Sequence, residues 1–302
     1  MVSGVKETRR DKIFLICNYF YVFLAFIIVF YPVVYMLSAS ISDPKYVGSG
    51  EMWLLPKGIT FEGYKRVFEN AAIWTGYGNT ILYTVIGTLV NLAVTLPAAY
   101  ALSRKDFVGR NFFMGMFMVT MFFGGGLVPS YLLIKELGMV NSMWALIIPS
   151  AASIWNIIVS RTFFQSSIPK ELQEAAQIDG CTNMRMFIKI ILPLSTPIIA
   201  VMALFYGVGH WNSYFSAMIY LNDAAKYPLQ LVLRQILVLQ EMAAQGGGAM
   251  DMATASALNN KAEVAALMKY SVIIVATLPI IAVYPFLQRY FVQGVMIGSV
   301  KG

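Results

Sequence analysis

Apolar residues in this chain gather into long blocks rather than alternating stripes. Splitting the sequence at every Asp, Glu, Lys and Arg leaves six charge-free runs of at least 18 residues: 13–42, 70–103, 111–134, 137–160, 190–222 and 270–288. Each holds an apolar stretch of roughly the 20 residues needed to cross a hydrocarbon core about 30 Å thick. Lipid offers no partner to backbone N–H and C=O groups, so the blocks predict helices. Core helices of a soluble protein seldom run this long without a charge. The expected fold class is an all-α integral membrane protein with six transmembrane helices.

Between the runs, three connections are longer than a simple turn requires. The first, 43–76, contains Trp53, Pro56, Gly58 and an amphipathic stretch FEGYKRVF, and is expected to be a structured cap. The second, 223–269, begins as an amphipathic helix in PLQLVLRQILVLQEM and loosens into a Gly/Ala/Ser-rich stretch near 246–260. The third, 161–197, is the most informative. Ser167 and Pro169 suggest a helix start, with proline acceptable in the first turn. The segment KELQEAAQID then forms about three turns, with Lys170 and Glu174 spaced i,i+4. Gly180 stops it by taking φ > 0. A second helix follows in NMRMFIKIIL, with Met184, Phe187, Ile188, Ile191 and Leu192 expected on one face. Pro193 is expected to end it, and Pro197 to restart the chain as a span. The small residues Ala175 and Ala176 are expected to let a partner's surface approach closely.

Composition changes the picture little but excludes much. Hydrophobic residues make up 58% of the 302 and charged residues 12%, about half the charge of a typical soluble domain. The net charge of +7 would suit a nucleic-acid binder only if it were clustered for that purpose. With the N-terminus placed inside, 13 of the 22 basic residues fall on cytoplasmic segments, as the positive-inside rule requires. Those segments hold six of the 15 acids, so all the net charge lies inside. It serves orientation. The domain plan is a cytoplasmic segment 1–12, a six-span body 13–292 with outer loops 43–76 and 223–269, and a cytoplasmic tail 293–302. The first run is longer than a signal-peptide h-region and is expected to stay as a span. Cys17 and Cys181 give no disulfide framework and no metal-ligand spacing.

Catalytic chemistry is not indicated. A polytopic membrane enzyme would need clustered His, Asp, Glu, Ser or Cys near a membrane face, and the chain has one histidine and no acid within a span. A proton- or sodium-coupled carrier would show intramembrane ionisable residues. No G-x-x-x-x-G-K-[ST] phosphate loop is present, so ATP would have to be bound by another chain. Polar and aromatic groups within spans include Asn79, Asn91, Asn156, Tyr206, His210, Trp211, Asn212 and Tyr214. Aromatic faces and amides are the groups that bind sugars, which makes Trp211, Asn212 and Tyr214, with Tyr206 and Asn79, candidates for a substrate pathway. The same groups could instead hydrogen-bond neighbouring helices, the expected role of His210. The 18 methionines are expected to fill gaps between helices.

The segment EAAQIDGCTNMRMFIKIILP resembles the EAA loop of bacterial ABC-importer permeases, E-A-A-x3-G-x9-I-x-L-P. Glu174, Ala175, Ala176, Gly180, Ile190, Leu192 and Pro193 match without a gap. The segments PLSTPIIAVMALFYGVGHWNSYF, YPLQLVLRQI and PFLQRYFVQGVMIGSVKG are similar to carbohydrate-importer permeases of the MalG and LplC type. The resemblance implies a type I importer (MetI-like) permease fold with a cytoplasmic coupling helix, in a bacterial inner membrane with both termini cytoplasmic. It implies that this chain is a transport subunit and not an enzyme. Its implied partners are a second homologous permease, two ATP-binding subunits that hold ATP and Mg, and an extracytoplasmic solute-binding protein that delivers an oligosaccharide. It further implies that Glu174, Ala175, Ala176, Asp179, Gly180 and Pro193 belong to the ATPase-coupling segment, and that Lys301 and Gly302 can reach the ATPase. A permease of this architecture for another solute, such as a peptide, remains the alternative.

Overall fold

The computed structural model of the chain describes residues 8–245, 265–283 and 285. The first seven residues, the Gly-rich stretch near 246–260 and the tail 293–302 with Lys301 and Gly302 lie outside those residues. No strand occurs among the described residues. The main helices are α1 (Arg9–Ser40), α2 (Ala71–Ser103), α3 (Arg110–Phe122), α4 (Leu127–Glu136), α5 (Trp144–Ser150), α6 (Ile154–Ser167), α7 (Lys170–Ile178), α8 (Asn183–Leu194), α9 (Thr196–Trp211), α10 (Leu229–Gln245) and α11 (Ala265–Val283).

All six charge-free runs are largely helical where they are described, but among the described residues only α1, α2 and α11 are single helices of spanning length. The other three are bent pairs: α3 with α4 at 112°, α5 with α6 at 50°, and α8 with α9 at 82°. Counting each pair as one span gives six. Unbroken helices expected over 111–134, 137–160 and 190–222 are therefore corrected, and the first and last of these breaks have a local cause. Gly124, Gly125 and Gly126 interrupt the third run, and Gly126 adopts φ 85°, ψ 172°, a conformation essentially reserved for glycine. Ser195 breaks the fifth run between Pro193 and Pro197, which remove two backbone donors. That run also ends early: α9 stops at Trp211, and Phe215–Tyr220 form a separate short helix.

By internal contacts the described chain forms two units. One holds the residues up to Glu69 with those of Ile236–Val275; the other holds Asn70–Gln235 with those from Ala276 onward. In the first unit, α1 opens with a capping box in which Thr8 and Asp11 satisfy each other's backbone N–H. Its side chains are exposed from Arg9 to Val33 and buried only at Ser38, Ala39 and Ser40. The connection after α1 is structured. Asp43 caps the short helix Pro44–Gly48, Ser38 Oγ donates to the Leu54 carbonyl at 2.5 Å, and Met52 is buried. The amphipathic stretch forms the helix Glu62–Glu69 and buries Val67. Gly63 lies against α11, where any Cβ would run into the Leu267 carbonyl and the Ser271 hydroxyl. Ser271 Oγ in turn donates to the Ser40 carbonyl at 3.1 Å.

The second unit is organised around α2, which packs on α9 and α6. Its largest core joins Leu96, Ala99, Tyr100 and Leu102 of α2 to Ile157 and Phe164 of α6, and to Ala176, Met186, Phe187 and Ile191 of the 161–197 connection. The long connection is therefore not a loop laid on the surface. It is part of the core at one end of the helix bundle.

Candidate functional site

The motif segment builds a short helix on a rigid support. Pro169 takes the N-cap of α7 with ψ 139°, while Ser167 belongs to the last turn of α6 and is not the start signal expected. Asp179 is the C-cap, Gly180 follows at φ 71°, and Cys181 N–H returns to the Ala176 carbonyl at 2.9 Å. Thr182 Oγ1 then caps α8 by accepting from Arg185 N–H. Glu174, Ala175, Gln177, Ile178 and Asp179 are exposed. Ala176 is not: it is 6% exposed and packs into the chain's own core, so only Ala175 of the small pair faces outward. The periodicity holds the reason, because Leu172, Gln173 and Ala176 share the inward side of the helix.

α8 carries a π turn at Phe187–Ile191, which shifts the phase of its faces. Met186, Phe187 and Ile191 are buried, while Met184 and Ile188 are exposed. The apolar face expected from a regular 3.6-residue period is corrected accordingly. Pro193 lies inside the last turn of α8 and does not end it. The chain turns at Ser195, whose buried hydroxyl donates to the Ile191 carbonyl at 2.6 Å.

Glu174, Gln173 and Gln177 form one wall of a groove of about 550 Å3. Ser103, Arg104, Lys105, Asp106 and Arg110 line it from the α2 end, together with Gln165 of α6. Here the C-terminal end of α2 is fully satisfied. The Tyr100 carbonyl accepts from Ser103 Oγ at 2.6 Å and the Ala101 carbonyl from Arg104 N–H at 3.2 Å. The Leu102 carbonyl accepts from Arg161 Nε at 3.0 Å and the Ser103 carbonyl from Gln165 Nε2 at 3.4 Å. All four terminal acceptors are thus occupied, two of them by α6, and a cation at a helix C-terminus is favoured by the dipole. Arg104 binds Asp106 through two bonds, Nε to Oδ1 at 2.8 Å and Nη2 to Oδ2 at 2.6 Å. That pairing holds the Asp106 carboxyl below the usual carboxylate range and raises Arg104 above its ordinary value.

The candidate pathway residues divide into two groups. Asn79 Nδ2 donates to the carbonyls of Ala225 (2.8 Å) and Tyr227 (3.1 Å) and ties that turn to α2. The Tyr206 hydroxyl shares a 2.6 Å hydrogen bond with buried Thr95. Trp211 Nε1 donates to the Ala276 carbonyl at 3.1 Å, and its ring meets Tyr77 edge-on. By contrast, Asn212 and Tyr214 are exposed at the turn that ends α9, with Arg234 5.2 Å from the centre of the Tyr214 ring. Trp211, Asn212 and Tyr214 therefore do not converge on one face of a continuous helix.

Two features were not resolved by sequence pattern. Asn91 is fully buried and donates to the carbonyls of Ser150 (2.6 Å) and Ala151 (2.9 Å), where the α5–α6 pair breaks. Its Oδ1 meets His210 Nε2 at 2.6 Å, and since both amide protons are committed, the imidazole carries its proton on Nε2. His210 is thus an interhelical donor. On the same side of α2, one to two turns before Asn91, the buried hydroxyls of Thr84 and Thr88 have no hydrogen-bond partner among the described residues. Thr84 also lines an apolar cavity of about 200 Å3 with Gly207, Trp211 and Ile280. Among the described residues, no cluster of three or more His, Cys, Asp or Glu side chains could hold a metal.

Comparison with known proteins places these features in a wider group. Residues 70–297 match the family described as "Binding-protein-dependent transport system inner membrane component". The chain is 40% identical to protein LplC of Bacillus subtilis (strain 168), over 100% of this chain and 99% of that one. It is 38% identical to the polygalacturonan/rhamnogalacturonan transport system permease protein YtcP of the same organism, over 97% of this chain and 100% of that one. Among solved structures, a chain of a bacterial ABC transporter involved in importing the acidic polysaccharide alginate superposes with a TM-score of 0.82. That match has 33% identity and covers 95% of this chain and 100% of the other.

Proposed function

This chain belongs to the family of binding-protein-dependent transport system inner membrane components, and on that premise we propose that it is one permease subunit of an ATP-driven importer of oligosaccharides. The observation that carries the cargo class is the full-length likeness to transporters whose names specify polygalacturonan, rhamnogalacturonan and alginate. Both of those cargoes are acidic, so uronate-bearing oligosaccharides are the first to test.

In this reading the chain lies in a bacterial inner membrane with both termini cytoplasmic. It forms half of the pathway with a second, homologous permease. A binding protein delivers cargo from outside, and two ATPase subunits inside hold ATP and Mg. α7 is the docking element for an ATPase, with Glu174, Ala175 and Asp179 on its exposed side, Ala176 anchoring it, and Gly180 and Pro193 shaping its support. An exposed polar helix seated on a packed core can be pushed as a unit, because a close-packed interior transmits displacement. The bias so produced is limited by the difference in affinity of the two transport states for ATP and loaded binding protein. Asn212 and Tyr214 offer exposed groups to a sugar, while Asn79, Tyr206 and Trp211 hold the pathway wall in place.

The decisive experiment is uptake into proteoliposomes of the complete importer, with a panel of oligosaccharides first screened by thermal shift on the cognate binding protein. Uptake that requires the ATPase and survives collapse of the proton gradient is the expected result. Uptake driven by the gradient alone would overturn the assignment. Peptide cargo in place of sugar would leave the architecture standing and replace the substrate.

A further inference from the structure

Tyr100 stands where three elements meet at the α7 end of the second unit. Its ring stacks on Phe187 of α8, with centroids 5.2 Å apart at 28°, and meets Phe164 of α6 edge-on at 5.9 Å and 80°. Its hydroxyl donates to Met186 Sδ at 3.3 Å and accepts from Arg104 Nη1 at 3.2 Å. Arg104 Nη1 also reaches Met186 Sδ at 3.7 Å, while Asp106 holds the rest of the guanidinium. α7 leans on the same core through Ala176.

We propose that Tyr100, oriented by Arg104, is the positioning residue that passes displacement of α7 and α8 to α2. The inference rests on the docking role proposed above for α7. Two routes lead from that support into the membrane. The covalent route runs from α8 into α9, but it passes a π turn and then an 82° bend at Ser195, where a push can be absorbed as a change of angle. The packed route runs through Tyr100 into α2, a helix of 33 residues that continues through Pro97 without a break and whose last two carbonyls accept bonds from α6. A continuous helix carries displacement further than a bent pair does. The ring provides the packing contact, and the hydroxyl, held between a sulfur and a guanidinium, fixes its orientation.

The test uses the complete importer in proteoliposomes and reads cargo moved per ATP hydrolysed in the presence of loaded binding protein. Tyr100→Leu should co-purify with a normal amount of ATPase yet move at least about fivefold less cargo per ATP. Tyr100→Phe, which keeps the ring and loses the hydroxyl, should lose about twofold. Wild-type cargo per ATP in Tyr100→Leu, or a loss in both variants that follows only the amount of assembled complex, would overturn the proposal. Glu174→Ala run in parallel separates the two readings. If it impairs ATPase docking while Tyr100→Leu stays fully coupled, the docking role survives and the Tyr100 role does not. If Glu174→Ala docks and transports normally, the docking role fails and this inference falls with it.

Discussion

His210 Nε2 lies 2.6 Å from Asn91 Oδ1, joining α9 to α2 at the point where the α5–α6 pair breaks. Three groups depend on Asn91: the imidazole N–H and the carbonyls of Ser150 and Ala151. Interhelical hydrogen bonds in membranes average about 0.6 kcal/mol and reach about 1.7. Asn91→Leu is therefore expected to cost about 2 kcal/mol and His210→Leu distinctly less. Thermal melting of the purified complex should rank Asn91→Leu lowest, and the opposite order would contradict the network.

Gly87 sets the fit of that imidazole. A Cβ at this position would come within 2.5 to 2.8 Å of the His210 ring. Gly87→Ala should destabilise by about 1–3 kcal/mol, the usual cost of forcing extra volume into a packed site. Combined with His210→Ala, most of that penalty should vanish, because the ring it collides with is gone. A double-mutant cycle on melting temperature measures this coupling, and simple additivity would refute it.

The turn after α7 gives a graded series. Gly180 has φ 71° and open space around its Cα, so Gly180→Ala carries backbone strain of about 1 kcal/mol but no clash. Gly180→Pro cannot adopt the conformation at all. ATPase co-purification should fall modestly for alanine and strongly for proline, with membrane insertion normal in both. Equal co-purification across the series would show that the turn does not set the docking geometry.

The division among the pathway residues is open to kinetics. Asn212→Ala and Tyr214→Ala should raise the half-saturating cargo concentration several-fold while leaving stability within about 0.5 kcal/mol of wild type, as for ordinary surface substitutions. Trp211→Phe keeps an aromatic ring but forfeits the bond to Ala276, so its effect should appear in stability first. A reversal of these two signatures would move the cargo contact to Trp211.

How much of this was legible in the sequence depended on the range of the signal. The absence of charge marks where helices cross lipid, but it is blind to a backbone that stops and restarts inside an apolar run. Gly124–Gly126 and the Pro193/Pro197 pair were visible as letters, and both mark real breaks. A charge-free count treats them as ordinary members of a span. The coupling segment was legible because its residues are local and evenly spaced. Ala176 could have been placed inward from its helical spacing to Leu172. Tyr100 and Arg104 could not be found this way. They lie some seventy residues before the motif they support, and only packing brings Phe187 and Met186 onto them. Asn91 stands out in the sequence as a polar residue within a span, but its partners come from the α5–α6 break and from α9, so no spacing reveals them.

The glycine break between α3 and α4 has a consequence for how the chain can exist at all. Around Gly124 and Gly125 the helical ladder lapses, and every residue from Met121 to Ser130 is exposed in the isolated chain. Hydrocarbon cannot supply hydrogen bonds to the amides freed there. Such a stretch persists at membrane depth only against protein or a water-filled cavity, and on the reading proposed above a second permease supplies that cover. If so, the chain's folding equilibrium contains that subunit's concentration as a variable. Chains made in excess of their partner should be short-lived, which ties the abundance of this protein to the synthesis of the one it pairs with.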